Sequence, residues 1–461
     1  MSRQKSGRLD IPRYDCIRRL SREGRTHFVG IGGVSMYSLA SLALLSGRLV
    51  SGSDKERSER TDRLSALGAE IHIGHSRENV DGASLVVYSH AIGQDNPELA
   101  AAREKNIVTV NRAEYMGAEM TGYTGRIGVS GSHGKSTTVA MLDAIFCSAG
   151  ADPTVLSGGG LNTADSFRYG SKGTLIYEAC EYRDSFLRFL PSVAVALNLE
   201  LDHIDYFPDI SALRASFLQA LCRADDFVVV NGDDENLRLI MPKITRRCVS
   251  FGRSRENLYR YDITSYEEGN FAFDLYKFGS KIGSLALKIP GVFNLHNATA
   301  AAVTALELGI DIDVIRDALA TFRGIPRRLE YLGEIYGRPI YYDYAHHPTE
   351  IRASITALRG LTHMGITVLF RPHTFSRTEG LWDELCSALS LADHTVVCDI
   401  FAAREEPIIG ITAENLAGAI GKGAVYCPDA LCVEYILKNT KGAIVLMGAG
   451  DLSEIKNHLT R

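Results

Sequence analysis

An α/β protein with mainly parallel sheets is what the sequence predicts. Two glycine-rich turns each follow a short apolar run and open a helical pattern, at His27-Phe-Val-Gly-Ile-Gly-Gly33 and at Arg126-Ile-Gly-Val-Ser-Gly131. Further on, the apolar runs Thr174-Leu-Ile-Tyr177, Val193-Ala-Val-Ala-Leu197 and Phe227-Val-Val-Val230 alternate with helical segments, as the buried strands of a parallel sheet do. At 461 residues the chain exceeds the length over which one core keeps growing, and about three domains follow. Punctuation along the chain divides it at 1–121, 122–327 and 328–461.

Composition removes several function classes. A net charge of -5 and a pI near 6.2 give no basic face for nucleic acid. The first 25 residues are locally basic, with Arg3, Lys5, Arg8, Arg13, Arg18, Arg19, Arg22 and Arg25, and read as a solvated or frayed lead-in. Nine cysteines are scattered without a Cys-x-x-Cys pair, which argues for reduced thiols in the cytoplasm rather than a zinc module or a disulfide framework. Residues 28–47 carry no charge, yet Gly30, Gly32 and Gly33 split them into a strand and a helix, so no membrane span is expected.

In the first segment the glycine turn has the form that cradles a diphosphate, and Val50-Ser-Gly-Ser-Asp54 sets an acid where such folds contact a ribose. The dinucleotide fingerprint is incomplete, because Ser35 stands at its third glycine; this argues against an NAD-linked oxidoreductase. Val86-Val-Tyr-Ser-His-Ala-Ile92 reads as another strand with polar residues at its carboxyl end. The second segment opens on Gly131-Ser-His-Gly-Lys-Ser-Thr-Thr138, a phosphate-binding loop shortened by the presence of Val129 where the first glycine belongs. Its backbone N–H groups face anionic oxygens, Lys135 reaches terminal phosphates, and the Ser136 hydroxyl joins a magnesium shell. Acids follow at strand ends: Glu178 and Glu181 in Tyr177-Glu-Ala-Cys-Glu-Tyr-Arg183, and Asp202 beside His203 in Asn198-Leu-Glu-Leu-Asp-His-Ile-Asp205. After a phosphate loop these point to a metal; taken alone, Asp202 reads as a helix N-cap and His203 as a surface residue.

The third segment begins after Gly324-Ile-Pro-Arg-Arg-Leu-Glu330, a linker whose Arg328 is suited to swing toward a phosphate while Arg327 reads as a solvated charge. His346 and His347 are adjacent and so diverge on any regular element. One is expected to contact substrate and the other to pack.

The phosphate loop, Glu178-Ala-Cys-Glu-Tyr-Arg-Asp-Ser-Phe186, Asn198-Leu-Glu-Leu-Asp-His203 and Asp343-Tyr-Ala-His-His-Pro-Thr-Glu350 together resemble the Mur ligases of bacterial cell-wall synthesis. The likeness runs from His27 to Met447-Gly-Ala-Gly-Asp451, and within the family it is nearest to members that join L-alanine to UDP-N-acetylmuramate. The resemblance implies a Rossmann-like N-terminal domain for the UDP-sugar, a central P-loop ATPase-like domain, and a Rossmann-like C-terminal domain carrying amino-acid contacts. It also implies the reaction: ATP and Mg2+ are used to phosphorylate a substrate carboxylate, and an amine then attacks the acyl phosphate. By matching positions, ATP falls to Gly131, Ser132, His133, Gly134, Lys135, Ser136 and Thr137, with Asn294 and Asn297 at the adenine and Arg328 and Asp343 closing the site. Either asparagine also reads as a helix N-cap.

The metal set is Ser136, Glu178 and His203, with Glu181 behind it or merely a surface acid, and Lys135, His203 and Arg328 form the catalytic set. Gly30, Gly32, Gly33, Asp54, Ser89, His90 and Arg112 fall to the UDP-sugar, and His346, His347, His373 and Arg377 to the amino acid. Departures from the family pattern stand at Ser35, Phe293, Arg371 and Arg404. No lysine occurs from His203 to Pro242, where several members carry a carbamoylated one. The implied protein is a cytoplasmic monomer or homodimer. Alternatives are a ligase that joins a preformed tripeptide to the same sugar nucleotide, and a noncatalytic UDP-sugar binder.

Overall fold

The computed structural model describes residues 11–161, 166–171, 173–203, 206–403, 405–450 and 452–459. Arg3, Lys5, Arg8, Asp205, Arg404 and Asp451, singled out above, lie outside the described residues. The chain forms two compact units. One is Met1–Gly158, Asp165–Glu200 and Ile210–Ser250; the other is Gly159–Ala164, Leu201–Asp209 and Phe251–Arg461.

The first unit carries two parallel arrangements. In the first, strands run in the spatial order Glu70–Ile73, Val50–Asp54, Arg25–Val29, Ala83–Tyr88, Val108–Asn111, all parallel. The glycine turn follows the central strand Arg25–Val29 and opens the helix Val34–Leu45. That helix is buried on nearly every side, which accounts for the long uncharged run. It has 12 residues, and among the described residues no helix is long and apolar enough to cross a membrane. In the second arrangement Phe227–Asn231, Val193–Ala196, Gly125–Ser130, Thr174–Glu178 and Thr154–Leu156 are parallel, with Phe167–Arg168 antiparallel at the edge. The phosphate loop thus leaves a central strand with Thr174–Glu178 on one side and Val193–Ala196 on the other, both later in sequence, so the chain crosses from one half of the sheet to the other about this strand, the point at which such sheets bind ligands.

One expectation for this unit fails. Residues 11–23 are not a frayed lead-in: Ile11–Glu23 is a helix that buries Tyr14, Ile17 and Ser21 along one stripe. Tyr14 donates to Arg188 O at 2.8 Å, and Ser21 pairs with Tyr115 OH at 3.0 Å. The basic residues lie between these anchors and conceal their helical spacing.

In the second unit, Tyr259–Glu267, Asn270–Lys277 and Ser280–Leu287 form an antiparallel meander, an addition to the mainly parallel sheet expected for the central segment. Alternating burial along these strands places Tyr259, Tyr261, Phe271, Phe273, Leu275, Leu285 and Leu287 inside. The remaining sheet orders Glu330–Ile335, Arg338–Asp343, Ala443–Met447, Ile366–Phe370, His394–Val397 and Ala424–Tyr426, parallel except for the first hairpin. Cores lie on both of its faces, one around Ile351, Leu358, Phe370 and Leu416, the other around Tyr342, Leu369, Ile436 and Leu446.

Candidate functional site

The phosphate loop occupies only Gly131 to Gly134, between strand Gly125–Ser130 and helix Lys135–Ser148. Gly131 at φ 146° and Gly134 at φ 85° hold backbone shapes that other residues resist. A Cβ on Gly131 would also lie 3.0 Å from Leu197 Cβ. Asn198, just past the neighbouring strand, clamps the loop from outside: its Oδ1 accepts from His133 N at 2.8 Å and its Nδ2 donates to His133 O at 3.0 Å. Ser132 Oγ donates to Glu200 O and accepts from Glu200 N, each at 2.9 Å. The helix has no side-chain N-cap, so its first-turn N–H groups face outward for an anion.

Lys135 Nζ donates to the carbonyls of Gly131 and Ser132 and lies 3.2 Å from Glu181 Oε2. Burial alone would lower its pKa, but Glu181, with Cys180 and Glu178 close by, holds the ammonium well above the ordinary lysine range. Glu181 is therefore no surface acid: only 1% exposed, it is the buried counter-charge of the loop lysine. Glu178, at the carboxyl end of Thr174–Glu178, accepts from Ser157 Oγ at 2.7 Å and Gly158 N at 2.6 Å, both through Oε1. Ser136 lies in the first helical turn, 5% exposed.

Around the first sheet, the diphosphate candidates also gather at strand carboxyl ends. Asp54 Oδ2 accepts from Gly32 N at 2.8 Å, so the acid braces the glycine turn itself. Gly30 adopts φ 78°, and Gly33 N returns to Gly30 O at 3.2 Å. Ser89 and His90 follow Ala83–Tyr88, and Arg112 begins the helix after Val108–Asn111. Burial lowers the pKa of His90, helped by Arg183 and Arg112. Arg183 was not singled out in the sequence; its φ of 54° gave no local signal.

In the second unit the structure gathers residues far apart in sequence. Arg377 Nη2 donates to Asp202 Oδ1 at 2.9 Å, and the same oxygen accepts from His203 N at 2.7 Å. Burial pushes Asp202 upward, but Arg377 and then His203 outweigh it and hold its carboxyl well below the usual range. Asp202 is thus a partner of Arg377, a pairing no local spacing signals. His203 turns the chain at φ 57°. The His346 ring stands 6.0 Å from that of His373, which stacks on Phe401 at 5.7 Å. His346 Nδ1 lies 3.0 Å from Tyr344 O, so that nitrogen carries the proton and Nε2 the lone pair. Burial drives the His346 pKa down to about 4, and that of His373 is lowered chiefly by burial and then by Arg377. His373 Nδ1 is buried without a hydrogen-bond partner among the described residues. His347 caps the helix Pro348–Leu361 in a reciprocal box with Glu350.

Arg328 Nη1 lies 3.3 Å from Glu350 Oε1. Arg327 is not a solvated charge, for its guanidinium covers the rings of Tyr342 and Tyr344 and donates to Gly450 O at 3.1 Å. Asp343 is buried under the helix Pro348–Leu361, accepting from Ser354 Oγ at 2.5 Å and Ala345 N at 3.1 Å; burial raises its pKa to about 6. Asn294 and Asn297 do not cap: Gly291 is the N-cap of Val292–Glu307, and both asparagines lie buried within it, Asn297 Nδ2 donating to Asn294 Oδ1 at 3.3 Å. Of the departures, Arg371 pairs with Asp429, and Phe293 packs on the core around Ile351. Ser136 and Glu178 belong to the first unit and His203 to the second.

Residues 25–124 match the family model described as Mur ligase family, catalytic domain, residues 129–305 the Mur ligase middle domain, and residues 327–452 the Mur ligase, glutamate ligase domain. The UDP-N-acetylmuramate–L-alanine ligase of Clostridium novyi is 39% identical over 440 residues, 94% of this chain and 96% of that one. That of Acetivibrio thermocellus is 40% identical over 440 residues, covering 93% and 94%. A crystal structure of UDP-N-acetylmuramate-alanine ligase from Thermotoga maritima aligns with a TM-score of 0.81 at 27% identity, over 95% of this chain and 98% of that one. The three-domain α/β architecture expected from the sequence is the one these comparisons support.

Proposed function

The chain belongs to the Mur ligase family, and we propose from that premise that it joins L-alanine to UDP-N-acetylmuramate in the cytoplasm, at the expense of ATP, to make a peptidoglycan precursor. The observation that carries the ATP half is the half-buried Lys135, paired with the buried Glu181, in a loop whose helix has no side-chain cap. A free carboxylate is a poor acyl donor. Phosphorylating it supplies a leaving group, and a preorganised cation near the transferring phosphoryl lowers the barrier. Lys135 takes that role.

Ser136 and Glu178 fit magnesium, a cation of hard oxygen ligands: Glu178 Oε2 takes no hydrogen bond from a described residue while Oε1 is held by Ser157 and Gly158. Magnesium, when bound, offsets phosphate charge; Ser136, Glu178 and His203 are its proposed holders. Gly131 through Thr137 cradle the phosphates, Asn294 and Asn297 meet the adenine, and Arg328 and Asp343 complete the ATP site. The glycine turn, Asp54, Ser89, His90 and Arg112 take the UDP-sugar.

For the acceptor, Arg377 offers a guanidinium to the amino-acid carboxylate, and Asp202 beside it suits the ammonium. Neutral His346, with Nε2 unprotonated, and His373 line the same place. Residues 1–121 carry the UDP-sugar site, 122–327 most of the ATP site with Arg328 and Asp343 added from the next segment, and 328–461 most of the acceptor site with Asp202 added from the central one. The test is phosphate release by the purified chain with UDP-N-acetylmuramate, ATP and either L-alanine or the preformed tripeptide. Release with L-alanine is expected; release with the tripeptide alone, or with neither, contradicts the assignment.

A further inference from the structure

A second cationic cavity lies at the opposite ends of the strands in the first unit. It has a volume of about 490 Å³ and is lined by Arg18, Arg22, Arg48, Glu119, Tyr123 and Tyr169, together with bare backbone at Gly47, Gly122, Gly170 and Gly173. Ser46 to Arg48 precede the strand Val50–Asp54, and Gly122 and Tyr123 precede Gly125–Ser130. The glycine turn and the phosphate loop follow the carboxyl ends of their strands, so the cavity is separated from both by roughly 17–20 Å, the length of a five- or six-residue strand.

Three guanidinium groups meet one carboxylate here. Arg48 sends its side-chain hydrogen bonds through Nη1, to Glu119, to Ser21 Oγ at 3.1 Å and to Tyr115 OH at 3.3 Å. Arg18 lies against Gly122, where a Cβ would stand 2.2 Å from its Nη2, and its Nε is buried without a hydrogen-bond partner among the described residues. Arg22 stands exposed at the rim. Burial lowers the Arg18 pKa first, and Arg22 and Arg48 then add like-charge repulsion, which Glu119 and Asp15 only partly offset.

Two helices end nearby, Val34–Leu45 and Arg112–Met120, and their carbonyl ends attract cations. Capping does not use these arginines, however. The last carbonyls are taken by backbone, with Gly47 N on Leu44 O at 2.9 Å, Gly122 N on Glu119 O at 3.0 Å and Tyr123 N on Met120 O at 3.0 Å. Guanidinium groups left with open donors in a cavity match the oxygens of a phosphate-type anion. We infer that Arg18, Arg22 and Arg48 form a binding site for a diphosphate-type oxyanion, distinct from the glycine turn and the phosphate loop.

The probe is inorganic pyrophosphate, titrated by calorimetry into the full chain carrying Lys135→Ala, which weakens competition from the phosphate loop. Adding Arg22→Ala, at an exposed position, or Arg18→Gln should each raise the Kd at least tenfold, as expected for loss of a charge-assisted contact worth about 1.5–3 kcal/mol. Parallel titrations with ADP and UDP identify the source of the diphosphate. Tighter binding than pyrophosphate, lost in the same variants, means a nucleoside is read beside Tyr123 and Tyr169; equal or weaker binding means the free oxyanion is the ligand. Absence of binding, or a Kd unchanged by both arginine substitutions, overturns the proposal.

Discussion

Lys135 and Arg377 are both partly buried cations paired with a carboxylate, yet their surroundings differ. Lys135 has its ammonium closed in by two loop carbonyls and by Glu181, whose side chain is 2% exposed. Arg377 and Asp202 keep 19% and 13% of their side chains exposed, among histidines that burial makes neutral. A cation held by a rigid loop suits charge stabilisation that repeats identically in every turnover. One held by a single acid at a more open place suits exchange of partners with an incoming amino acid.

The sharpest contrast comes from removing the two charges. Lys135→Ala is expected to lower kcat on the order of 1000-fold while UDP-N-acetylmuramate still binds, because the loss falls on the transferring phosphoryl. Steady-state phosphate release and a sugar-nucleotide titration check this; comparable turnover by the folded variant would take the lysine out of the mechanism. The acids should differ next. Glu181→Gln removes the buried counter-charge of the loop ammonium and should cost about 3 kcal/mol in urea unfolding. Asp202→Asn, at a more open pair, should cost about 1 kcal/mol. Equal losses would erase the distinction drawn between the two places.

The pH dependence of stability tests the acid buried under the helix Pro348–Leu361. The Asp343 pKa of about 6 lies above its ordinary 3.8, so the folded state favours the protonated form. That contribution is whole below about pH 4 and is lost as pH rises through about 6, amounting to about 3 kcal/mol. Asp343→Asn should remove this fall, seen as a flatter stability profile across the same window. The smallest effect is an absence of change: with the His346 pKa near 4, the KM for L-alanine should not follow histidine titration between about pH 6 and pH 8. A KM rising through about pH 6.5 would mean that His346 is not the neutral group described.

The same contrast separates what the sequence discloses from what it conceals. The phosphate loop is contiguous, so the places of Gly131, Gly134, Lys135 and Ser136 at a strand-to-helix turn were legible, including its shortness. The parallel strands were legible too, because apolar runs of that length have few other uses. Burial of charge was not. Glu181 read equally as a surface acid, and Arg327 as a solvated charge, since nothing beside them in sequence tells of the lysine or the two tyrosines they meet. Asp202 and Arg377 lie 175 positions apart, and only folding discloses their pairing. The alternative reading of Asn294 and Asn297 as caps rested on the commonest work of asparagine near a helix start, whereas Gly291 performs it here.

The division between activation at Lys135 and acceptor recognition at Arg377 is tested most directly by Arg377→Lys, which keeps the charge and loses the planar two-pronged contact. The acyl phosphate is trapped by borohydride reduction without L-alanine, and L-alanine is then titrated in steady-state assays. The account predicts a trapped yield equal to that of the unsubstituted chain, with a KM for L-alanine raised on the order of tenfold, the loss of one charge-assisted contact. Loss of the trapped intermediate with an unchanged L-alanine KM would contradict it and assign Arg377 to the activation site.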